Sequence, residues 1–191
     1  MMYDKNSIEK SYAVMKEFYE VVKNDENKNI VQSLQFKLCN LKDINHTISR
    51  LATSVVVDDI ELYEVKSLAL LSADVKNILE KISLDKIIEI PNLDEVVKIL
   101  DPDGLRIATF YIYDSYSEEL ASLRKKLKEK DVYQEEIYNE VMRIEDEIRA
   151  ELSSKLKPYS EAMTSALNAL ADVDINIAKS LQMKELGLCF P

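Results

Sequence analysis

The chain has few of the residues that break helices or that build disulfide and metal sites. Its 191 residues include two glycines, four prolines, two cysteines, one histidine and no tryptophan. So few glycines and prolines leave little material for the turns of a many-stranded sheet. Because 47% of the residues are apolar, the chain can still bury a sizeable core. The composition therefore predicts a mostly all-α fold.

Cysteine and histidine are too scarce for the common kinds of reactive centre. Cys39 and Cys189 lie far apart in the sequence, and His46 is the single imidazole. This set predicts neither a disulfide framework nor a zinc cluster, and it favours a reducing, cytoplasmic setting. A nucleophile, a base and an oxyanion site cannot be assembled from these three side chains. We expect no enzyme activity and no cofactor in this chain.

Long apolar runs and excess positive charge are also missing. No stretch approaches the length of a transmembrane helix, and the N-terminus lacks the charged and then apolar pattern of a secretory signal. Acidic residues outnumber basic residues by 35 to 25, which gives a formal charge of −10. This charge repels nucleic-acid phosphates and anionic lipid surfaces. The sequence predicts no membrane partner, and any DNA contact must be local.

What the sequence does contain is helical periodicity. Over residues 7–23 apolar side chains recur every three or four positions, which predicts an amphipathic helix. Residues 30–55 continue this spacing and form one helix or two. Asp58 and Glu61 have the spacing of a capping box, which predicts a long helix over 59–82.

The last third of the chain follows the same pattern with two interruptions. Pro158 kinks or restarts the helical stretch that contains it, because proline lacks the backbone N–H of a helix interior. Gly187 suits a helix stop.

The stretch 100–127 is the one place where the sequence predicts a turn, then an extended segment, and then another helix. Pro102 and Gly104 are turn formers, and β-branched and aromatic residues follow over 106–113. These residues predict one short β element, paired with a second apolar run at about 87–90.

The aromatic residues of this element have two interpretations. Strand alternation places Phe110 and Ile112 toward the core, with Tyr111 and Tyr113 on the other face and their hydroxyls in water. Alternatively, the aromatic rings stack on nucleic-acid bases. We favour the core interpretation.

The element leads into a predicted helical hairpin. Ser115 and Glu118 have capping-box spacing at the start of an apolar heptad series that runs from Leu120 to Ile148 and is interrupted near Lys130. Basic residues precede the interruption and acidic residues follow it, which favours an antiparallel fold-back over one continuous helix. The hypothesis is a long hairpin of two helices.

A basic run lies on the first arm of this hairpin. Clustered cations can bind DNA phosphates by releasing counterions. Alternatively, the basic residues form a solvent-exposed face that pairs with the acidic second arm. We favour this alternative over DNA binding, because the chain has a net negative charge. The candidate phosphate contacts are Arg124, Lys125, Lys126, Lys128 and Lys130.

Several stretches, taken in order, resemble the core and lever region of MutS-type DNA mismatch-repair proteins. The similarity is greatest to compact MutS-like proteins in which the DNA clamp is missing or reduced, and it covers roughly residues 30–191. The stretches are 43–51 (DINHTISRL), 58–66 (DDIELYEVK), 100–127, 167–174 (LNALADVD) and the terminal 187–191 (GLCFP).

The resemblance implies a helical core over 1–116, a lever hairpin over 117–157, and a return helix over 158–191 that leads to an ATPase domain absent from this chain. It implies a non-catalytic part that couples the ATPase to DNA or partner engagement. The implied partners are the downstream ATPase domain, a second copy of the chain, and DNA only in the full-length protein. Mismatched-DNA binding and ATP binding would be properties of the parent protein.

The chain departs from the family in two ways. The residues between Leu127 and Ile137 leave no room for a clamp, and the family's mismatch-reading N-terminal domain has no counterpart before Asn29. In addition, neither Gly104 nor Gly187 lies in a phosphate-binding loop. The ending at Pro191, where the ATPase would begin, predicts a shortened piece of a longer protein.

A second hypothesis needs no DNA. The seam from Leu120 to Ile148 could bind another helix as a coiled coil, which would make the chain a helical scaffold or dimerisation module.

Overall fold

The computed structural model describes residues 5–128 and 134–190, and these are predominantly helical. The predicted mostly all-α class is confirmed. The helices in the described residues are α1 (Lys5–Lys23), α2 (Lys28–Leu38), α3 (Asn45–Ala52), α4 (Asp59–Lys81), α5 (Asp94–Leu100), α6 (Glu118–Leu127), α7 (Gln134–Leu156) and α8 (Ser160–Leu186). Short 3-10 helices cover Asp25–Asn27, Asp114–Tyr116 and Lys157–Tyr159. Within the described stretches, every helix is too short or too polar to cross a bilayer.

The predicted β element is wrong. Over the described residues the backbone forms no strand: 87–90 lie in or next to a turn, and 106–113 are irregular. Side chains provide donors to carbonyl groups that a strand would use in a ladder. Lys66 donates to the Thr109 carbonyl and Arg124 donates to the Ile112 carbonyl. These contacts fix the segment without a partner strand.

The chain folds into two compact units, each assembled from separate stretches. The first unit contains residues 5–41, 71–92 and 165–190, and the second contains 42–70, 93–128 and 134–164. The boundaries predicted from the resemblance, at 116 and 157, stay a prediction. Fully buried side chains in the first unit include Phe18, Leu34, Val75, Leu79, Leu170 and Val173. Those of the second include Leu51, Leu62, Leu100, Leu120, Leu156 and Met163.

Helix α1 is covered over only part of its apolar face. Phe18 and Val22 are buried, and Lys184 of α8 donates to the Val22 carbonyl at 3.1 Å. Toward the helix start, Ile8 and Tyr12 are 42% and 41% exposed. The predicted stripe is therefore continuous in sequence but only half buried.

Helix α4 begins where its capping pattern predicts. The Asp58 carboxylate accepts from the Glu61 N–H at 2.9 Å, and the Glu61 carboxylate accepts from the Asp58 N–H at 3.0 Å. Both donors would otherwise lack an intrahelical partner. Arg50 of α3 also pairs with Glu61, at 2.5 Å, and so links α3 to the start of α4.

Helix α8 ends at the glycine that the sequence singles out. Gly187 adopts a φ of +62°, and the Leu188 N–H donates to the Met183 carbonyl at 3.0 Å. This is the Schellman arrangement, which favours glycine because of its left-handed backbone. Pro158 lies in the 3-10 helix between α7 and α8, so the helical stretch restarts there.

The start of α6 differs from the prediction. Ser117, not Ser115, is the N-cap, and its hydroxyl accepts from the Leu120 N–H at 3.2 Å. Ser115 lies in the 3-10 helix Asp114–Tyr116, which places the start of α6 beyond it. The capping box predicted between Ser115 and Glu118 is therefore wrong.

We expect Ser117→Ala to lower the free energy of unfolding by about 1 kcal/mol, because one N–H at the start of α6 loses its acceptor. Ser115→Ala is the matched control, since this exposed hydroxyl is not the cap, and its effect should stay below about 0.5 kcal/mol. Urea unfolding followed by circular dichroism measures both. Equal effects of the two substitutions would contradict the assignment of the cap.

Candidate functional site

Helices α6 and α7 form an arm in the second unit. They pack against each other, so the chain reverses direction between Leu127 and Gln134, as the hairpin prediction requires. The turn itself, at 129–133, lies outside the described residues. At 1.5 Å per residue, α6 is about 15 Å long and α7 about 35 Å, so the two helices of the arm differ in length. The buried residues of their seam are Leu120, Val141, Ile144 and Ile148.

Arg124 ties α6 to its surroundings. Its guanidinium donates to the Ile112 carbonyl at 2.8 Å, to Asp114 at 2.5 Å and to Glu145 of α7 at 2.8 Å. Burial by itself lowers the pKa of Arg124, but the hydrogen bonds that it donates to Glu145 and Asp114 outweigh burial and raise the pKa. The side chain therefore stays charged.

A second arginine extends the same set of ion pairs. Arg149 of α7 donates to Asp59 at the start of α4, at 2.7 and 3.2 Å, and lies 3.5 Å from Glu145. The hydrogen bond with Asp59 is the largest cause that raises the pKa of Arg149. Glu145 is shared by both arginines. We call Asp114, Arg124, Glu145, Arg149 and Asp59 the arm-base network.

A buried lysine lies in the same unit. Lys66 of α4 is 0% exposed, and its ammonium donates to Asp101 at 3.0 Å, to the Tyr113 hydroxyl at 3.0 Å and to the Thr109 carbonyl at 3.2 Å. These three acceptors match its three protons. We call these four residues the Lys66 cluster. It fixes the irregular segment between α5 and α6 onto α4.

Asp101 is held from the other side by backbone. Its second carboxylate oxygen accepts from the Arg106 N–H at 2.7 Å, and the Gly104 N–H donates to its carbonyl at 2.9 Å, which forms the predicted turn. Burial alone raises the pKa of Asp101, but the Arg106 N–H and the Lys66 ammonium outweigh it and lower the pKa. Asp101 is therefore an anion that pairs with Lys66.

The predicted placement of the two tyrosines is partly wrong. Ile112 is buried and Tyr111 is exposed, as predicted, and Phe110 is half-buried. Tyr113 is buried and not exposed to solvent. Its hydroxyl accepts a hydrogen bond from Lys66 and donates one to the Thr109 carbonyl at 3.0 Å. A hydroxyl that finds both partners inside the protein does not need water.

The structure separates the five predicted phosphate contacts. Arg124 belongs to the arm-base network, and Lys130 lies outside the described residues. The remaining three, Lys125, Lys126 and Lys128, are exposed and form no salt bridge among the residues that the structure describes. Their contact with DNA phosphates stays a prediction.

The contacts of the Lys66 cluster and of the arm-base network hold neighbouring parts of the second unit in place. Lys66 is closed to solvent, although Thr109 of its cluster is exposed, so a substrate cannot reach the ammonium. Over the described residues no group of acidic, cysteine or histidine side chains could hold a metal ion. His46, Cys39 and Cys189 are exposed.

Sequence reasoning missed the Lys66 cluster. One signal was available: Lys66 lies at a core-facing position of α4, between Leu62 and Ala69, which are both buried. A lysine at such a position requires a buried partner. The sequence does not show that this partner is Asp101, which follows 35 positions later.

Comparison with protein-family models, with known proteins and with solved structures gives no match.

Proposed function

We propose that the chain is the non-catalytic core and lever part of a MutS-like DNA mismatch-repair ATPase. Its work would be mechanical: the arm would carry movement between a downstream ATPase domain and DNA or a partner. The order of the resembling stretches supports this proposal, together with an all-helical fold that contains an antiparallel arm.

The arm-base network is the observation that carries the proposal. A lever transmits movement only if it behaves as a rigid body that is fixed at its base. Arg124 joins α6 to α7, and Arg149 joins α7 to the start of α4 through Asp59. The shared Glu145 makes these contacts one chain of ion pairs. A displacement of α7 would therefore move α6 and the start of α4 together.

The charge on the arm is consistent with contact to DNA in a larger protein. Lys125, Lys126 and Lys128 are exposed near the end of α6 that is remote from its cap. Because the chain as a whole carries −10, these cations alone would bind duplex DNA weakly at physiological salt. Tight binding would need basic residues from elsewhere in the parent protein.

The alternative of a coiled-coil scaffold has less support. The seam residues Leu120, Val141 and Ile148 are buried inside this single chain, so a partner helix would first have to displace α6 from α7. Exposing these side chains costs about 1.5–3 kcal/mol each.

The proposal is tested on the product of the complete gene. We expect a Gly-rich phosphate loop downstream of residue 191, and ATP hydrolysis that duplex DNA stimulates. Glu145→Gln should leave basal hydrolysis unchanged and reduce the stimulation several-fold, because the arm is loosened at its base. Steady-state ATPase assays with and without DNA measure this.

Glu147→Gln is the matched control, since Glu147 pairs with Arg143 on the exposed face of α7, outside the arm-base network. It should retain the stimulation. A reading frame without a phosphate loop, or hydrolysis that ignores DNA, would contradict the MutS-like assignment.

A further inference from the structure

A groove in the first unit lies between α1, α8 and residues 87–89. Its volume is about 1110 Å³. On α8 it extends from Ser165 to Lys179, about 21 Å at 1.5 Å per residue. The apolar lining comes from Ile8, Tyr12, Met15, Ile88, Ala169 and Ile175.

This groove contains the uncovered half of the α1 stripe. Phe18 and Val22 are buried by the chain itself, whereas Ile8 and Tyr12 line the groove and stay more than 40% exposed. Ile175 on the facing wall is similarly exposed. Covering apolar side chains gains roughly 25 cal/mol per Å², so this surface favours association.

The charges around the groove are balanced. Lys10 and Lys179 contribute two cations, and Glu89 and Asp172 contribute two anions. The whole chain carries −10, so two copies repel each other over most of their surface. The groove face carries positive and negative charges in equal number, so two copies can approach through it without this repulsion. A two-fold axis can then place each cation opposite an anion.

We propose that the groove binds a second copy of this chain, and that the α1 and α8 faces of the two copies pack around a two-fold axis. A small ligand fits less well, because binding pockets cover most of a ligand's surface and the walls here are half exposed. A nucleic acid or an anionic membrane would need net positive charge, which this face lacks. The proposal is independent of the MutS-like function and concerns a different surface from the arm seam.

Sedimentation equilibrium of the purified chain tests the proposal. We expect a monomer–dimer equilibrium with a dissociation constant on the order of 10 to 100 µM, the range of weak, transient interfaces. Ile8→Glu and Ile175→Glu should each weaken it by about tenfold or more, because each places a charge in the apolar centre of the interface. Both side chains are partly exposed, so circular dichroism should show an unchanged fold.

Phe36→Glu is the matched control. Phe36 is 74% exposed on α2 of the same unit and does not line the groove, so its substitution should leave the dissociation constant within about twofold. Lys179→Glu should weaken the dimer, and the added reversal Asp172→Lys should restore it. A wild-type chain that stays monomeric up to about 500 µM would overturn the proposal. So would a Phe36→Glu effect as large as that of Ile8→Glu.

Discussion

Replacing Lys66 with methionine is expected to lower the free energy of unfolding by about 3 to 5 kcal/mol. Methionine fills a similar volume but leaves the Asp101 carboxylate buried without its cation, and it leaves the Thr109 carbonyl with one donor fewer. A buried charge that loses its partner costs more than the pair contributes when intact. Urea unfolding monitored by circular dichroism gives the difference.

The same substitution at an exposed pair is the control. Lys155 pairs with Glu151 on the surface of α7, so Lys155→Met should cost below about 1 kcal/mol. Adding Asp101→Asn to Lys66→Met should recover part of the loss, because a neutral amide oxygen can still accept from the Arg106 N–H. If Lys66→Met costs no more than Lys155→Met, the Lys66 cluster does not fix the segment as we describe.

The pH dependence of this variant follows from Asp101. Its pKa is lowered in the folded protein, so its charged form stabilises the fold above the ordinary carboxyl pKa. That contribution is lost as the pH falls through the folded pKa. Without Lys66, one of the interactions that lower the pKa of Asp101 is lost, so the carboxylate takes up a proton at a higher pH. The stability gap between the wild-type chain and Lys66→Met should therefore narrow from neutral pH toward about pH 3.

Glu145→Gln is expected to lower the free energy of unfolding by about 1.5 to 3 kcal/mol. Glutamine keeps the shape of the side chain but removes the charge that Arg124 and Arg149 share, and its amide nitrogen then faces a guanidinium. The loss should be concentrated in the arm. Amide hydrogen exchange is expected to accelerate in α6 more than in α2, which lies in the other unit.

Glu147→Gln removes a carboxylate from the same helix at an exposed position. Its pair with Arg143 is solvent-exposed, so the expected cost is below about 0.5 kcal/mol. Unchanged exchange in α6 for Glu145→Gln, or equal effects of the two variants, would show that the arm-base network does not hold the arm.

Most of the longer helices were predictable because their signals are local, whereas α5 (Asp94–Leu100) was not predicted. The Asp58–Glu61 box and Gly187 act within one helical turn, and both mark helix ends in the structure. The hairpin was predictable for a related reason, since the apolar seam and the opposite charges on its two arms flank one interruption.

The β element and the contacts of the site were not predictable in this way. The aromatic and β-branched residues of 106–113 suit a strand, but the donors that fix them come from Lys66 and Arg124 on other elements. The spacing of apolar residues indicates which face of a helix or strand is buried. It does not indicate which side chain, distant in the sequence, contacts that face. For the same reason the basic run did not reveal that, among its described residues, Arg124 would join an internal network while Lys125, Lys126 and Lys128 stay exposed.

The interleaving of the two units has a consequence for how the protein is made. Lys184 binds the carbonyl at Val22, and the first unit needs residues 165–190 beside residues 5–41. At about 5–20 residues per second, the ribosome adds these last residues roughly 10 to 30 s after α1 has been synthesised. Until then, the part of α1 that packs against residues 165–190 stays uncovered, which favours binding by chaperones. Contacts between residues that are far apart in the sequence also slow refolding.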